Sequence, residues 1–267
     1  MLGGAGVALA LALAPAAAQE AAGVQVRKPR LMLVPESTVN EASAQQYTQL
    51  LRQAAAKGVL NRPHDAVERV RAVASRLVPQ SGRFSAEAPK WRWEVNVIDA
   101  NSVNAFCMPG GKIVVFTGLV NRLKLSDDEL AAIVGHEMAH ALLEHGRARM
   151  SQALLQNVGI NFAAAYFGLS NIGASALAQA ANVAITLPYS RGHETDADLV
   201  GLELAARAGY DPRAAFEVWR KMATLGGSQP PQFLSTHPGH ETRMGAIEEA
   251  LPRVMPLYEA ARRTRIQ

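Results

Sequence analysis

The sequence predicts an α+β domain that is mainly helical and contains a small β-sheet. The stretch WRWEVNVID, beginning at Trp91, alternates apolar with polar residues, which is the pattern of a strand with one buried face. A second strand begins at Lys112, and helical spacing or helix-capping residues occupy much of the remaining chain. With 267 residues, of which 49% are hydrophobic, the chain can form one well-packed domain or two small ones.

The N-terminal residues have the composition of an export signal. Residues 2–18 form an apolar run that is closed by three alanines and suits cleavage before Gln19. A membrane anchor is the alternative, and the length of the run disfavours it. We therefore predict a signal peptide at residues 1–18, an extended N-terminal segment at residues 19–45, and a periplasmic or cell-envelope location.

Charge and cysteine content narrow the classes of protein. The formal net charge is +4 with both signs spread along the chain, so no nucleic-acid partner is predicted. Cys107 is the only cysteine, which excludes an internal disulfide.

No charged residue occurs between Arg149 and Arg191, but Asn and Gln residues keep every apolar run short of the roughly 20 residues that cross a bilayer. This segment is predicted to be a buried or membrane-facing helical hairpin, which allows peripheral membrane contact.

Several helices are predicted from spacing and caps. One carries apolar residues three and four apart on a single face, namely Ala66, Val67, Val70, Val73, Leu77 and Val78. In LSDDEL, Ser126 and Glu129 form a capping box that begins another helix. A further helix runs from Ser190 to Ala208, and an amphipathic helix from about Gly245 closes the chain.

The helix that follows Ser126 carries the motif VGHEMAHALLEH. His136 and His140 are four residues apart, so their directions differ by about 40° and both rings can reach one metal ion. Glu137 projects about 100° from His136, where its carboxylate can take a proton from a metal-bound water. This H-E-x-x-H arrangement of metallopeptidases predicts one Zn²⁺ per chain.

A catalytic zinc takes three protein ligands and keeps one open position. His145 is out of register for a third histidine, and we expect it either to support a ligand or to lie on the surface. In SRGHETDADLVG, Glu194 and Asp198 share a helix face with the small residue Gly201. Zinc would satisfy Glu194, and the N–H of a ligand imidazole would satisfy Asp198. The alternative is that both acids form surface ion pairs with arginines such as Arg191.

Four blocks of the sequence resemble the HtpX-like and CAAX-prenyl-protease-like gluzincins, metallopeptidase family forty-eight, over about Tyr47 to Leu251. The blocks are NAFCMPGGKIVVFTGL, ELAAIVGHEMAH, SRGHETDAD and STHPGHETRM. The layout is similar to that of exported, single-domain members.

The resemblance implies a zincin-like metallopeptidase domain, here residues 46–267, whose metal helix lies under an edge strand that begins near Lys112. It also implies that zinc is bound by three residues, with a general base and a supporting aspartate beside them. The three ligands are His136, His140 and Glu194, the base is Glu137, and the aspartate is Asp198.

We therefore predict a zinc endopeptidase that acts on polypeptides, in particular misfolded or unassembled envelope proteins. An extended substrate would add to the sheet edge, with Asn104, Gly110 and Gly111 in contact with it. His237 is expected to be a removable fourth ligand or to stabilise the oxyanion, with Arg243 bracing its loop, although structural capping is an alternative. Two other hypotheses are a zinc-bound chaperone or adaptor without proteolytic activity and a purely structural metal site.

Overall fold

In the computed structural model, residues 23–166, 189–225, 232–237 and 241–266 are described. Within them the chain forms nine α-helices and three strands. The strands are β1 (Glu94–Ile98), β2 (Ala105–Met108) and β3 (Lys112–Phe116). The helices are α1 (Glu36–Ala56), α2 (Asp65–Leu77), α3 (Thr117–Arg122), α4 (Asp127–Leu142), α5 (His145–Tyr166), α6 (Arg191–Arg207), α7 (Ala214–Thr224), α8 (Gln232–Thr236) and α9 (Glu241–Ile266). The predicted α+β class, mainly helical with a small sheet, is confirmed.

The sheet has the strand order β1-β3-β2, with β1 parallel and β2 antiparallel to β3. In β3, Ile113 and Val115 face one core cluster and Val114 faces another. A strand that is buried on both faces belongs at the centre of a sheet. The expectation that the edge strand begins near Lys112 is therefore wrong, because the strand beside the metal-motif helix is β2.

Helix α1 begins at Glu36, inside the segment at residues 19–45 that was expected to be extended. Glu36 places a negative charge at the positive end of the helix dipole, which favours a helix start there. Only Val39, Tyr47 and Ala54 of this helix are buried, so its apolar spacing is too sparse to mark in the sequence where the helix begins. The helix covers the face of the sheet opposite to α4.

Helix α4 begins as predicted, with a capping box in which the Ser126 hydroxyl accepts the Glu129 N–H and the Glu129 carboxylate accepts the Ser126 N–H. It packs along α6 through a contact between Gly135 and Gly201. A Cβ atom added to Gly201 would lie 2.7 Å from the backbone nitrogen of His136. The two backbones approach this closely because neither position carries a side chain.

Some predictions concern residues that are only partly described. The hairpin expected between Arg149 and Arg191 is helical in α5 as far as Tyr166, and residues 167–188 lie outside the described residues. The signal peptide predicted at residues 1–18 also lies outside them. Among the helices that the structure describes, none combines the length and apolarity needed to cross a bilayer.

Candidate metal centre

The H-E-x-x-H motif occupies the side of α4 that faces α6. His136, Glu137 and His140 are buried, although each is a polar side chain. The Nε2 atoms of His136 and His140 lie 3.1 Å apart, so both imidazoles converge on one point. This is the arrangement that the four-residue spacing predicts.

The first turn of α6 brings a carboxylate to the same point. Glu194 is fully buried, with Oε1 at 3.4 Å from His140 Nε2 and Oε2 at 3.6 Å from His136 Nε2. His237, directly after α8, places Nδ1 at 3.1 Å from Glu194 Oε1. One ligand atom from each of these four residues lies within 4.8 Å of the others. The burial of Glu194 excludes the surface ion pair that the sequence left open.

The hydrogen bonds behind the histidines suit a metal cation. His136 Nδ1 lies 2.9 Å from Asp198 Oδ1, and a carboxylate at this position selects the tautomer with the proton on Nδ1. The lone pair of His136 Nε2 then points into the cluster, towards His140 and Glu194. Histidine nitrogens together with a carboxylate oxygen are a donor set that zinc prefers in catalytic sites.

Glu137 lies beside the cluster and keeps one oxygen available. Its buried Oε1 makes no hydrogen bond within the described residues and lies 3.5 Å from His237 Nε2. Burial raises the pKa of the Glu137 carboxyl, against the opposing charges of His237 and His136. A carboxylate with a raised pKa and an unpaired oxygen can take up a proton and return it.

Arg243, in the first turn of α9, joins the two acids of α6. Its Nε and Nη2 donate to both oxygens of Asp198 at 2.5 and 2.6 Å, and its Nη1 lies 2.8 Å from Glu194 Oε2. The guanidinium also stacks 4.0 Å above the ring of Trp219. The sequence predicted that Arg243 braces a loop, whereas the structure shows it holding the acids that face the histidines.

His145 is fully buried, which excludes the surface alternative. Its Nδ1 lies 3.0 Å from His140 Nδ1, on the side of that ring away from the cluster. Burial lowers the pKa of His145 to about 2, so the ring stays neutral. If the His140 Nε2 lone pair points into the cluster, the His140 Nδ1–H donates to His145 Nδ1. The ring of Tyr189 stacks on His140 with centroids 3.9 Å apart. Tyr189 could not be identified from the sequence, because an aromatic residue before a helix cap has no spacing relation to the H-E-x-x-H motif.

A cleft of about 370 Å³ opens beside these residues and is lined by β2, α1, α5 and the segment around His237. Asn104 lines it, and its Oδ1 accepts the N–H of Ala105. Gly110 and Gly111 are absent from the described lining. They form the turn between β2 and β3 with φ values of 77° and 78°, a conformation that favours glycine, and their contact with substrate stays a prediction.

Cys107 packs towards α4 in the core. Burial raises the pKa of its thiol, and the negative charge of Glu137 adds to this effect. A neutral buried thiol agrees with the prediction that Cys107 packs rather than acts as a nucleophile.

Comparison with known proteins identifies the family. The model described as Peptidase family M48 matches residues 65–251. The mitochondrial metalloendopeptidase OMA1 of Arabidopsis thaliana is 42% identical over 162 residues, which cover 59% of this chain and 31% of the relative. OMA1 of Schizosaccharomyces pombe is 35% identical over 191 residues, 71% of this chain and 54% of the relative. The beta-barrel assembly-enhancing protease of Yersinia pestis is 27% identical over 172 residues, 60% of this chain and 35% of the relative.

The chain thus spans between about a third and about half of the length of these relatives. The predicted periplasmic or cell-envelope location is wrong by this comparison, because OMA1 relatives from plant and yeast are mitochondrial by name. The narrower likeness to the HtpX-like and CAAX-prenyl-protease-like groups stays a prediction. The expectation of a zinc metallopeptidase is confirmed by the matched family and by the buried cluster of histidines and glutamate. The chain belongs to Peptidase family M48.

Proposed function

We propose that the protein is a zinc-dependent endopeptidase that hydrolyses unfolded or unassembled polypeptides. One observation carries the proposal: three histidines and Glu194 converge in a buried cluster, beside Glu137 Oε1, which makes no hydrogen bond within the described residues. Both the ligands and the base also line or adjoin an open cleft.

The proposed roles follow from the positions of the side chains. His136, His140 and Glu194 would hold the metal, and Asp198 would orient His136 through its Nδ1–H. When bound, zinc polarises the scissile carbonyl and lowers the pKa of a water towards about 7. Glu137 accepts the proton of the attacking water at Oε1 and passes it to the leaving amine.

His237 has a position that suits both roles predicted for it. Its Nδ1 belongs to the cluster, as a fourth ligand requires, while its Nε2 faces Glu137. A ring that leaves the cluster would present an N–H to the oxyanion of the tetrahedral intermediate. The capping alternative loses support, because both ring nitrogens face catalytic groups.

A polypeptide substrate fits the sheet edge. Strand β2 pairs only with β3 within the described residues, so its outer edge can accept an extended chain through main-chain hydrogen bonds. Such bonds are independent of side chains, which suits the varied sequences of unfolded proteins. The finer prediction of envelope-protein substrates stays a proposal, and the name of the Yersinia pestis relative is consistent with it.

The test is degradation of casein by the purified protein, with and without a zinc chelator. We expect Glu137→Gln to abolish cleavage while the protein retains one zinc, since the ligands are unchanged. Glu249→Gln, at an exposed carboxylate of α9, is the matched control and should leave cleavage unchanged. A zinc-bound chaperone would be supported instead if the unmodified protein and the Glu137→Gln variant both prevented casein aggregation and neither showed chelator-sensitive cleavage.

A further inference from the structure

Helix α1 lies across the cleft and is fixed at both ends. Before it, the Val34 N–H donates to Ser151 Oγ at 3.0 Å, and the Val34 carbonyl accepts a bond from Arg147 Nε at 2.7 Å. These bonds tie its start to α5. Farther along, Tyr47 and Ala54 are buried against the sheet. The helix therefore connects α5 with the sheet and forms one wall of the cleft.

One face of α1 lines the cleft, next to the buried face that carries Tyr47 and Ala54. The lining residues recur three or four positions apart, so they share one side of the helix. They include Glu36, Val39, Ser43, Gln46 and Leu50. Leu51 lies on the other side of the buried face that carries Tyr47 and Ala54. There it packs on the sheet and does not line the cleft.

The edge strand β2 presents two different faces to a substrate. Ala105 and Cys107 pack towards α4, whereas Phe106 and Met108 pack on the side of α1. The Phe116 N–H bonds to the Asn104 carbonyl, and alternation along an antiparallel pair then directs the Cys107 N–H and C=O to the outer edge. A substrate strand paired there would place alternate side chains on the two faces.

The side chains on the α1 face have the chemistry of an apolar subsite. Leu50, Phe106, Met108 and Phe116 are half-buried, line the cleft and belong to one hydrophobic cluster. The Phe106 and Phe116 rings lie 6.3 Å apart between centroids, at a tilted angle. The charged lining residues do not belong to this cluster: Glu144, Arg147 and Arg149 lie in or directly before α5, Glu36 begins α1, and Glu137 lies beside the metal centre.

We propose that Leu50, Phe106, Met108 and Phe116 form a specificity subsite for a large apolar substrate residue at a position whose side chain points towards α1. This inference rests on the proposed endopeptidase function. Helix α1 would then be part of the substrate-binding surface rather than only a support for the sheet. Burial of a leucine or phenylalanine side chain in such a pocket favours cleavage of peptides that carry one at this position.

The test is cleavage of a peptide library by the full chain, with product ends determined by mass spectrometry. We expect enrichment of Leu, Met and Phe at one position near the scissile bond. Leu50→Ala should lower kcat/KM about tenfold for a peptide with Leu there relative to one with Ala. Leu50→Arg should shift the preference at this position to Asp and Glu.

Leu51→Ala is the matched control, since it removes the same side chain from the same helix outside the cleft. We expect Leu50→Ala and Leu51→Ala to lower Tm by similar amounts, and only the former to change the cleavage profile. Cleavage with an unchanged profile in both Leu50 variants would overturn the subsite and leave the endopeptidase intact. Absence of any chelator-sensitive cleavage by the unmodified protein would overturn both proposals.

Discussion

Replacement of Gly201 by alanine tests whether the contact between α4 and α6 holds the metal centre together. The added Cβ would lie 2.7 Å from His136 N and 2.9 Å from His136 Cα. Ordinary contacts of a Cβ begin at 3.4 Å, so the helices would have to separate by about 0.7 Å, the difference between 3.4 and 2.7 Å. Both opposing atoms belong to the backbone and cannot rotate away.

The expected magnitude combines two opposing effects. Overpacking of a well-packed core costs about 1–3 kcal/mol, and a contact between backbones belongs at the upper end. Alanine gains about 1 kcal/mol over glycine in a helix interior. The net loss of about 2 kcal/mol corresponds to a fall in Tm of roughly 4–8 °C for a domain of this size. The same separation moves Glu194 and Asp198 away from His136, so zinc affinity falls as well.

The assay is thermal unfolding with a chelator, which isolates packing from zinc binding, followed by zinc titration. Gly192→Ala is the control because it makes the same change in the same helix, where an added Cβ meets no atom within 4 Å. It should leave Tm unchanged or raise it. If Gly201→Ala matches this control in both Tm and zinc affinity, the reasoning about the helix contact is refuted.

Three further predictions concern other parts of the site. Arg243→Met removes the guanidinium from the buried carboxylate of Asp198, and we expect urea titration to show a loss of about 3–5 kcal/mol in the free energy of unfolding. His145→Ala removes the acceptor behind His140 and should lower zinc affinity about 10–100-fold in competition with a chromophoric chelator. Because burial raises the thiol pKa of Cys107, alkylation by iodoacetamide at pH 8 should be slow in the folded protein and rapid in urea.

Two controls separate these effects from general damage. Arg253→Met removes a guanidinium that is exposed on α9, and it should change stability by less than about 1 kcal/mol. His193→Ala removes the ring that stacks on His145, with centroids 4.3 Å apart, without touching the bond between His145 and His140. Equal zinc affinities of the His145 and His193 variants would contradict the proposed support of His140.

The central part of the site was predictable because helical geometry is local. Spacing of four residues fixes the relative directions of His136 and His140, and the same rule places Glu194 and Asp198 on one face of α6. The distance between these two helices is a tertiary property. A close approach of the two helices could be anticipated only from the small residue Gly201. No feature of the sequence around Gly135 indicated that it makes the opposite half of this contact.

Other features depend on packing between elements that are distant in sequence. The position of β2 at the edge follows from burial of β3 on both faces, which an apolar run of four residues does not reveal. Helix α1 lines the cleft but has few buried residues, so the helical periodicity of its apolar residues is weak. Gly110 and Gly111 satisfy a backbone requirement for positive φ, and their expected contact with substrate stays a prediction.

The architecture makes metal binding and helix packing two aspects of one interaction. Two of the proposed ligands come from α4 and one from α6, so no single helix can assemble the proposed site. The approach of Gly135 to Gly201 sets how closely Glu194 and Asp198 meet His136, and Arg243 then ties both acids to α9. A substitution that changes no ligand side chain can therefore reduce zinc affinity if it separates α4 from α6. The glycine contact is consequently as necessary to the donor geometry as the chemistry of the ligands themselves.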